Sequence, residues 1–244
     1  RLIGVVFIIP FIYFLVKKNM NSFFYKRFSI IFSLGLFQAL VGWWMVKSGL
    51  EVNPYVSSYR LAFHLTNAVI ILSILFWLTL TSFSSPGLSF FPKLNLEYIL
   101  SILIFLLILT IISGAFMAGS HAGQSFNTYP LMNGALIPED YYLYEYGLKN
   151  FFENTVAINF NHRWLATFTF LLIVSLIIYL YTIPKYKNFI FEMSLILFFS
   201  CLQFLLGILT LLTNVQIILA SLHQINSMLL LATLMLFYYR IKKK

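Results

Sequence analysis

FENTVAINFNHRW, residues 152–164, leads from an acidic, polar stretch into a long apolar one. Its last four residues, Asn161-His162-Arg163-Trp164, put an imidazole at the mouth of a run long enough to cross a bilayer. Ionisable groups inside a membrane are costly, so such a histidine needs a partner or a ligand. His64 and His223 stand in matching places, near the starts of two other apolar runs.

Working outward, the 244 residues are 61% hydrophobic and 9% charged, with mean hydropathy +0.89. A soluble domain carries roughly 25% charged residues. The composition therefore predicts an all-α, polytopic membrane helix bundle. Seven apolar runs approach the ~20 residues that a spanning helix needs. They cover Arg1 to about Val16, Phe28–Val46, Tyr59–Thr81, Leu96–Met117, Asn161–Thr182, Ile190–Leu212 and Gln216–Tyr239. The chain opens at Arg1 directly into apolar sequence, without the layout of a signal peptide. The first run reads as cut short, and the expectation is that the natural N-terminus lies upstream.

The formal charge is +9, but the basic residues cluster in short loops and there is no nucleic-acid-binding motif. Lys17, Lys18, Lys26 and Arg27 follow the first run, Lys93 precedes the fourth, Lys185 and Lys187 follow the fifth, and Arg240, Lys242, Lys243 and Lys244 close the chain. These alternate ends are predicted to face the cytoplasm, or the matrix of a mitochondrion. The loop 118–160 instead carries Glu139, Asp140, Glu145 and Glu153, and is predicted to lie outside, ordered and partly flat at the interface. The single cysteine, Cys201, lies in an apolar run and can form no intrachain disulfide.

Two helix pairs look alike. Gln38-Ala-Leu-Val-Gly42 is followed by His64-Leu-Thr-Asn67, and Gln203-Phe-Leu-Leu-Gly207 by His223-Gln-Ile-Asn226. Order and topology match as well as spacing. This repeat predicts two pseudo-symmetric four-helix halves, residues 1–95 and 96–244, with seven of eight helices present. His64, His162 and His223 are predicted to share one depth. Two imidazoles facing across a bundle can ligate one heme iron. Asn67 and Asn226, three residues beyond their histidines, share the same helical face. Arg60 and Arg163 are placed to pair with heme propionates. Hydrogen bonding across helices is the plainer use of a membrane histidine. Zinc fits less well, because no cysteine or carboxylate lies within helical reach of these histidines. His121 reads as a loop residue past a helix end.

The chain at this point resembles the heme A synthase family, membrane enzymes that convert heme O to heme A for cytochrome oxidase. The resemblance is carried by GLFQALVGWWMVKSGL (35–50), YRLAFHL (59–65), GAFMAGSHAGQSFNTYPLMNG (114–134), FFENTVAINFNHRW (151–164) and LHQIN (222–226). It is closest to the alphaproteobacterial and mitochondrial branch, since the loop cysteine pair of the other branch is missing. The resemblance implies that His162 and His223 hold a heme b, and that His64 is one ligand of the substrate heme O. The partner of His64, and an acidic residue that matters for catalysis, would precede Arg1. It further implies stepwise oxidation of a heme methyl group to a formyl group in a bacterial plasma membrane or mitochondrial inner membrane. Heme O synthase and an electron donor such as a ferredoxin would be partners. A homo-oligomer stays open, because lipid-facing and partner-facing apolar surfaces read alike. A bis-histidine heme b protein that only passes electrons is the alternative. A transporter ranks last, because the helix centres are almost uniformly apolar.

Overall fold

The computed structural model describes residues 2–18, 20–49, 54–82 and 95–243, without the side chain of Ile3. Arg1, Lys93 and Lys244 lie outside the described residues. Among the described residues eight α-helices follow one another: α1 Leu2–Val16, α2 Ser22–Lys47, α3 Ser58–Ser82, α4 Asn95–Gly119, a single turn α5 Asn150–Glu153, α6 Thr155–Tyr181, α7 Ile190–Leu212 and α8 Ile217–Lys243. Six helical segments of the described residues are long and apolar enough to cross a membrane: α2, α3, α4, α6, α8, and α7 with the 3-10 turn before it. The first of the seven expected spans falls short. α1 has 15 residues, so at ~1.5 Å per residue it covers about 22 Å of a hydrocarbon core ~30 Å thick.

Two helices begin earlier than their apolar runs. Asn21 caps α2, its Oδ1 accepting from the Phe23 N–H at 3.1 Å. The helix therefore runs through Lys26 and Arg27, whose guanidinium lies 3.4 Å over the Phe23 ring. Asn154 caps α6 by accepting from the Val156 N–H at 2.9 Å. His162 is thus not at the helix mouth, as the apolar pattern predicts, but seven residues in, about two turns. His64 and His223 each lie six residues inside α3 and α8. All three histidines hold nearly the same rank in their own helices.

The chain divides into two compact units, Arg1–Val56 with Phe63–Ser89, and Ser57–Ala62 with Phe90–Lys244. In the first, Phe7 and Phe11 of α1 meet Phe28 and Phe32 of α2. In the second, α4, α6, α7 and α8 form a closed ring, each packed on two of the others. Leu100, Ile173, Ile177, Met193, Ile196, Leu231, Leu234 and Phe237 fill its centre. At one end of this bundle two carboxylates in the first turns of α4 and α7 meet two cations in the last turn of α8. Glu97 bonds Lys242 at 2.8 Å with both side chains buried, and Glu192 lies 3.3 Å from Arg240. Each carboxylate also sits where the helix dipole favours negative charge.

The segment from Ser120 to Lys149 is built from turns. Met132 and Ala135 exchange backbone hydrogen bonds of 2.8 and 3.2 Å around Asn133-Gly134. Both central residues have positive φ, 52° and 89°, which is what an Asn-Gly turn of the primed kind requires.

Candidate functional site

In the second unit the site is built on α4, α6, α7 and α8. His162 points from α6 at the thinnest part of α4. A Cβ on Gly114 would lie 3.3 Å from its Cε1. The hydroxyl of Ser113, one residue earlier, is 2.7 Å from His162 Nδ1. His223 of α8 packs in the same way on α7, where a Cβ on Gly207 would lie 3.0 Å from its Cε1. The carboxamide nitrogen of Gln203 lies 3.2 Å from Nδ1 and 3.3 Å from Nε2 of His223. Asn226 Nδ2 donates to Gln203 Oε1 at 2.8 Å and to the Phe199 carbonyl at 2.9 Å.

The first unit repeats the Gly–His–Gln–Asn set of α7 and α8 on α2 and α3, with the same distances at the glycine. A Cβ on Gly42 would meet the Cε1, Nδ1 and Nε2 of His64 at 3.0, 3.5 and 3.8 Å, the three distances found between Gly207 and His223. Gln38 Nε2 lies 3.2 Å from His64 Nε2 and donates to the His64 carbonyl at 3.1 Å. Asn67 Nδ2 donates to Gln38 Oε1 at 2.6 Å and, at 3.5 Å, lies near the Leu34 carbonyl. Leu34 and Phe199 each stand one turn before their glutamine. The asparagines therefore do not face outward to a ligand through Nδ2. They orient the glutamines, and the glutamines contact the histidines.

These sites fit a porphyrin iron ligated by histidine. Helical glycines let the imidazoles lie flush against a neighbouring backbone, a cradle that any larger residue would fill. Nδ1 of His64 and Oδ1 of Asn226 are buried without a hydrogen-bond partner. Among the described residues no three of His, Cys, Asp and Glu cluster as a metal site. His121, exposed and left-handed with φ 57°, stands in the turn after α4.

The stretch 150–163 does a second job. Asn150 Oδ1 accepts from the Leu143 N–H at 2.9 Å, and its Nδ2 donates to the Tyr141 carbonyl at 2.8 Å. Asn154 Nδ2 donates to the Asp140 carbonyl at 2.8 Å, and Asn159 Nδ2 to the Ala122 carbonyl at 2.7 Å. Tyr141 donates to Asn161 Oδ1 at 3.1 Å. Arg163 donates from Nη1 and Nη2 to the Thr128 and Phe126 carbonyls, each at 2.8 Å. A propionate at Arg163 would have to use its remaining N–H groups, since the fork already holds the loop. Arg60 is half-buried in the first turn of α3, one turn before His64. Ser113, one residue outside the stretches that carry the family resemblance, has no signature in the sequence. A serine in an apolar helix usually does no more than bond its own backbone, and only its place opposite His162 distinguishes it.

Residues 1–235 match the family described as cytochrome oxidase assembly protein. The chain belongs to that family. Among its relatives, the heme A synthase of Nitrosospira multiformis is 39% identical over 236 residues, which cover 94% of this chain and 65% of that protein. The heme A synthase of Wolbachia pipientis wMel is 36% identical over 252 residues, covering 100% of this chain and 68% of that protein. A heme A synthase of Arabidopsis thaliana is 34% identical over 258 residues, covering 100% of this chain and 56% of that protein. The chain thus spans about two thirds of the length of these bacterial relatives. No solved structure matches it.

Proposed function

We propose that this chain forms the membrane-embedded body of a heme A synthase, in which heme O is oxidised at a methyl group to give the formyl group of heme A. The observation that carries the reading is the Gly–His–Gln–Asn cluster built twice with the same distances at its glycines. One such cluster falls in each half, residues 1–95 and 96–244, and the second half adds His162 against Gly114. In the second half His162 and His223 would hold a heme b through its iron. In the first, His64 would ligate the substrate heme O. The oxidative chemistry is supplied by heme iron when bound. The protein's own groups ligate, orient and exclude water. Gln38 and Gln203 hold the imidazoles of His64 and His223, and Asn67 and Asn226 hold the glutamines. Arg60 and Arg163 are the cations nearest these histidines in sequence, suited to propionates.

The six spans place the chain in a membrane. The basic flanks support a cytoplasmic or matrix-side C-terminus, in a bacterial plasma membrane or a mitochondrial inner membrane. Reaction partners would be an electron donor such as a ferredoxin, and heme O synthase as the source of substrate.

The test is extraction and mass analysis of the heme carried by the chain when it is co-expressed with a heme O source. Heme A, or its hydroxylated precursor, is expected. Heme b with unconverted heme O would favour a purely electron-transferring cytochrome. No heme at all would overturn the assignment of the histidines. In His162→Ala and His223→Ala, the low-spin heme of the second half should be lost while the topology persists.

A further inference from the structure

We propose that Ser113 is a positioning residue that fixes the tautomer of His162 and makes Nε2 its ligating nitrogen. This rests on the reading that His162 ligates a heme.

A serine hydroxyl has one proton to give and two lone pairs to receive with. Ser113 Oγ lies 2.8 Å from the carbonyl oxygen of Thr110. That oxygen can only accept, so the hydroxyl proton is committed to it. The contact of 2.7 Å between Ser113 Oγ and His162 Nδ1 must then be donated by the imidazole. Nδ1 therefore carries the proton of the neutral ring, and Nε2 keeps its lone pair. A histidine whose Nδ1–H is held by an acceptor is the form that binds a metal through Nε2, with its basicity raised and its ring orientation fixed.

The other histidine of the unit has a partner of the opposite kind. The carbonyl of Phe199 orients Asn226, because only the Nδ2 end of that amide can bond it. Asn226 Nδ2 also donates to Gln203 Oε1, so the other end of Gln203 is the NH2 group. That NH2 group faces His223, and it can only donate. His223 thus meets a donor where His162 meets an acceptor. The same logic holds at His64, where Gln38 Nε2 donates to the His64 carbonyl and faces the ring with N–H groups. Of the three imidazoles, His162 alone makes a hydrogen bond among the described residues that leaves Nε2 bare. It is the ligand presented to iron before iron arrives.

An acceptor on Nδ1–H pushes electron density onto the iron and favours the ferric state. Ser113→Ala removes that acceptor with little change in volume. Ser113→Thr keeps a hydroxyl at the same position. The experiment is a potentiometric titration of the low-spin heme in the purified full chain, with heme retention measured by transfer to excess apomyoglobin. Ser113→Ala is expected to raise the midpoint potential and to weaken heme retention by about 10- to 100-fold, the usual cost of losing an outer-shell partner. Ser113→Thr should restore both. If Ser113→Ala matches the unsubstituted chain in both measurements, the proposal fails while the heme assignment stands. If Ser113→Thr behaves like Ser113→Ala, packing rather than the hydroxyl is responsible, and the proposal also fails. If the unsubstituted chain carries no low-spin heme, the assignment of His162 fails first and takes this proposal with it.

Discussion

Gly207→Ala tests whether the helical glycines are there for the histidines. The added Cβ would lie 3.0 Å from Cε1 of His223, 3.5 Å from Nδ1 and 3.8 Å from Nε2. Carbon atoms rest at about 3.5–4.0 Å, so the ring must move by roughly half an ångström. Moving it also stretches its 3.2 Å contact with Gln203, which stands one turn from Gly207 on α7. Overpacking of this kind costs about 1–3 kcal/mol. With a decade of affinity per ~1.4 kcal/mol, heme binding should weaken by about 5- to 150-fold. Gly114→Ala meets His162 at 3.3 Å and should cost less. Gly35→Ala is the control. Nothing lies within 4 Å of its added Cβ, so removing a glycine from the interior of α2 should leave heme binding alone and stabilise the helix by about 0.5–1 kcal/mol. Heme retention and the low-spin absorbance of the three variants give the ranking. Full retention in Gly207→Ala, or a greater loss in Gly114→Ala, would refute the reasoning.

Two further variants probe the scaffold. Glu97→Gln leaves Lys242 charged and buried without its counter-ion, and should destabilise the second unit by about 3–5 kcal/mol, read from its unfolding transition. The double variant Glu97→Gln with Lys242→Met should recover most of that loss, and a single-variant loss below about 1 kcal/mol would show that the pair is not buried in the membrane-bound protein. Arg163→Lys replaces a fork spanning two carbonyls with a point donor. One charged hydrogen bond, about 1.5–3 kcal/mol, should be lost, so amide exchange over residues 126–128 should speed by about 10- to 150-fold, and unchanged exchange would remove Arg163 from the role of loop clamp.

What could be read from the sequence was what repeats. QxxxG and HxxN occur twice in the same order, and the structure brings the four residues of each set together. The apolar runs located α3, α4, α7 and α8 to within a few residues. The start of α6 was not legible, because Asn154, Asn159 and Asn161 look like loop. They are polar for another reason. Asn154 caps the helix, while Asn159 and Asn161 face a covering segment rather than lipid. The start of α2 was hidden by Lys26 and Arg27, which a helix tolerates once Asn21 has closed its end. Ser113 was beyond reach, since its role exists only where α4 meets His162. The ion pair Glu97–Lys242 joins residues 145 positions apart, and neither charge announces its partner.

The loop 118–160 carries exposed carboxylates at Glu139, Asp140 and Glu145, yet most of its fastening is done by carboxamides. Asn150, Asn154, Asn159 and Asn161 do not titrate, and their bonds are not weakened by counter-ions. Anchorage and surface charge are therefore separable. Brine can screen the rim of the loop while its hold on α6 persists. Over evolutionary time the charge of that rim is free to drift with the habitat, as long as the asparagines remain.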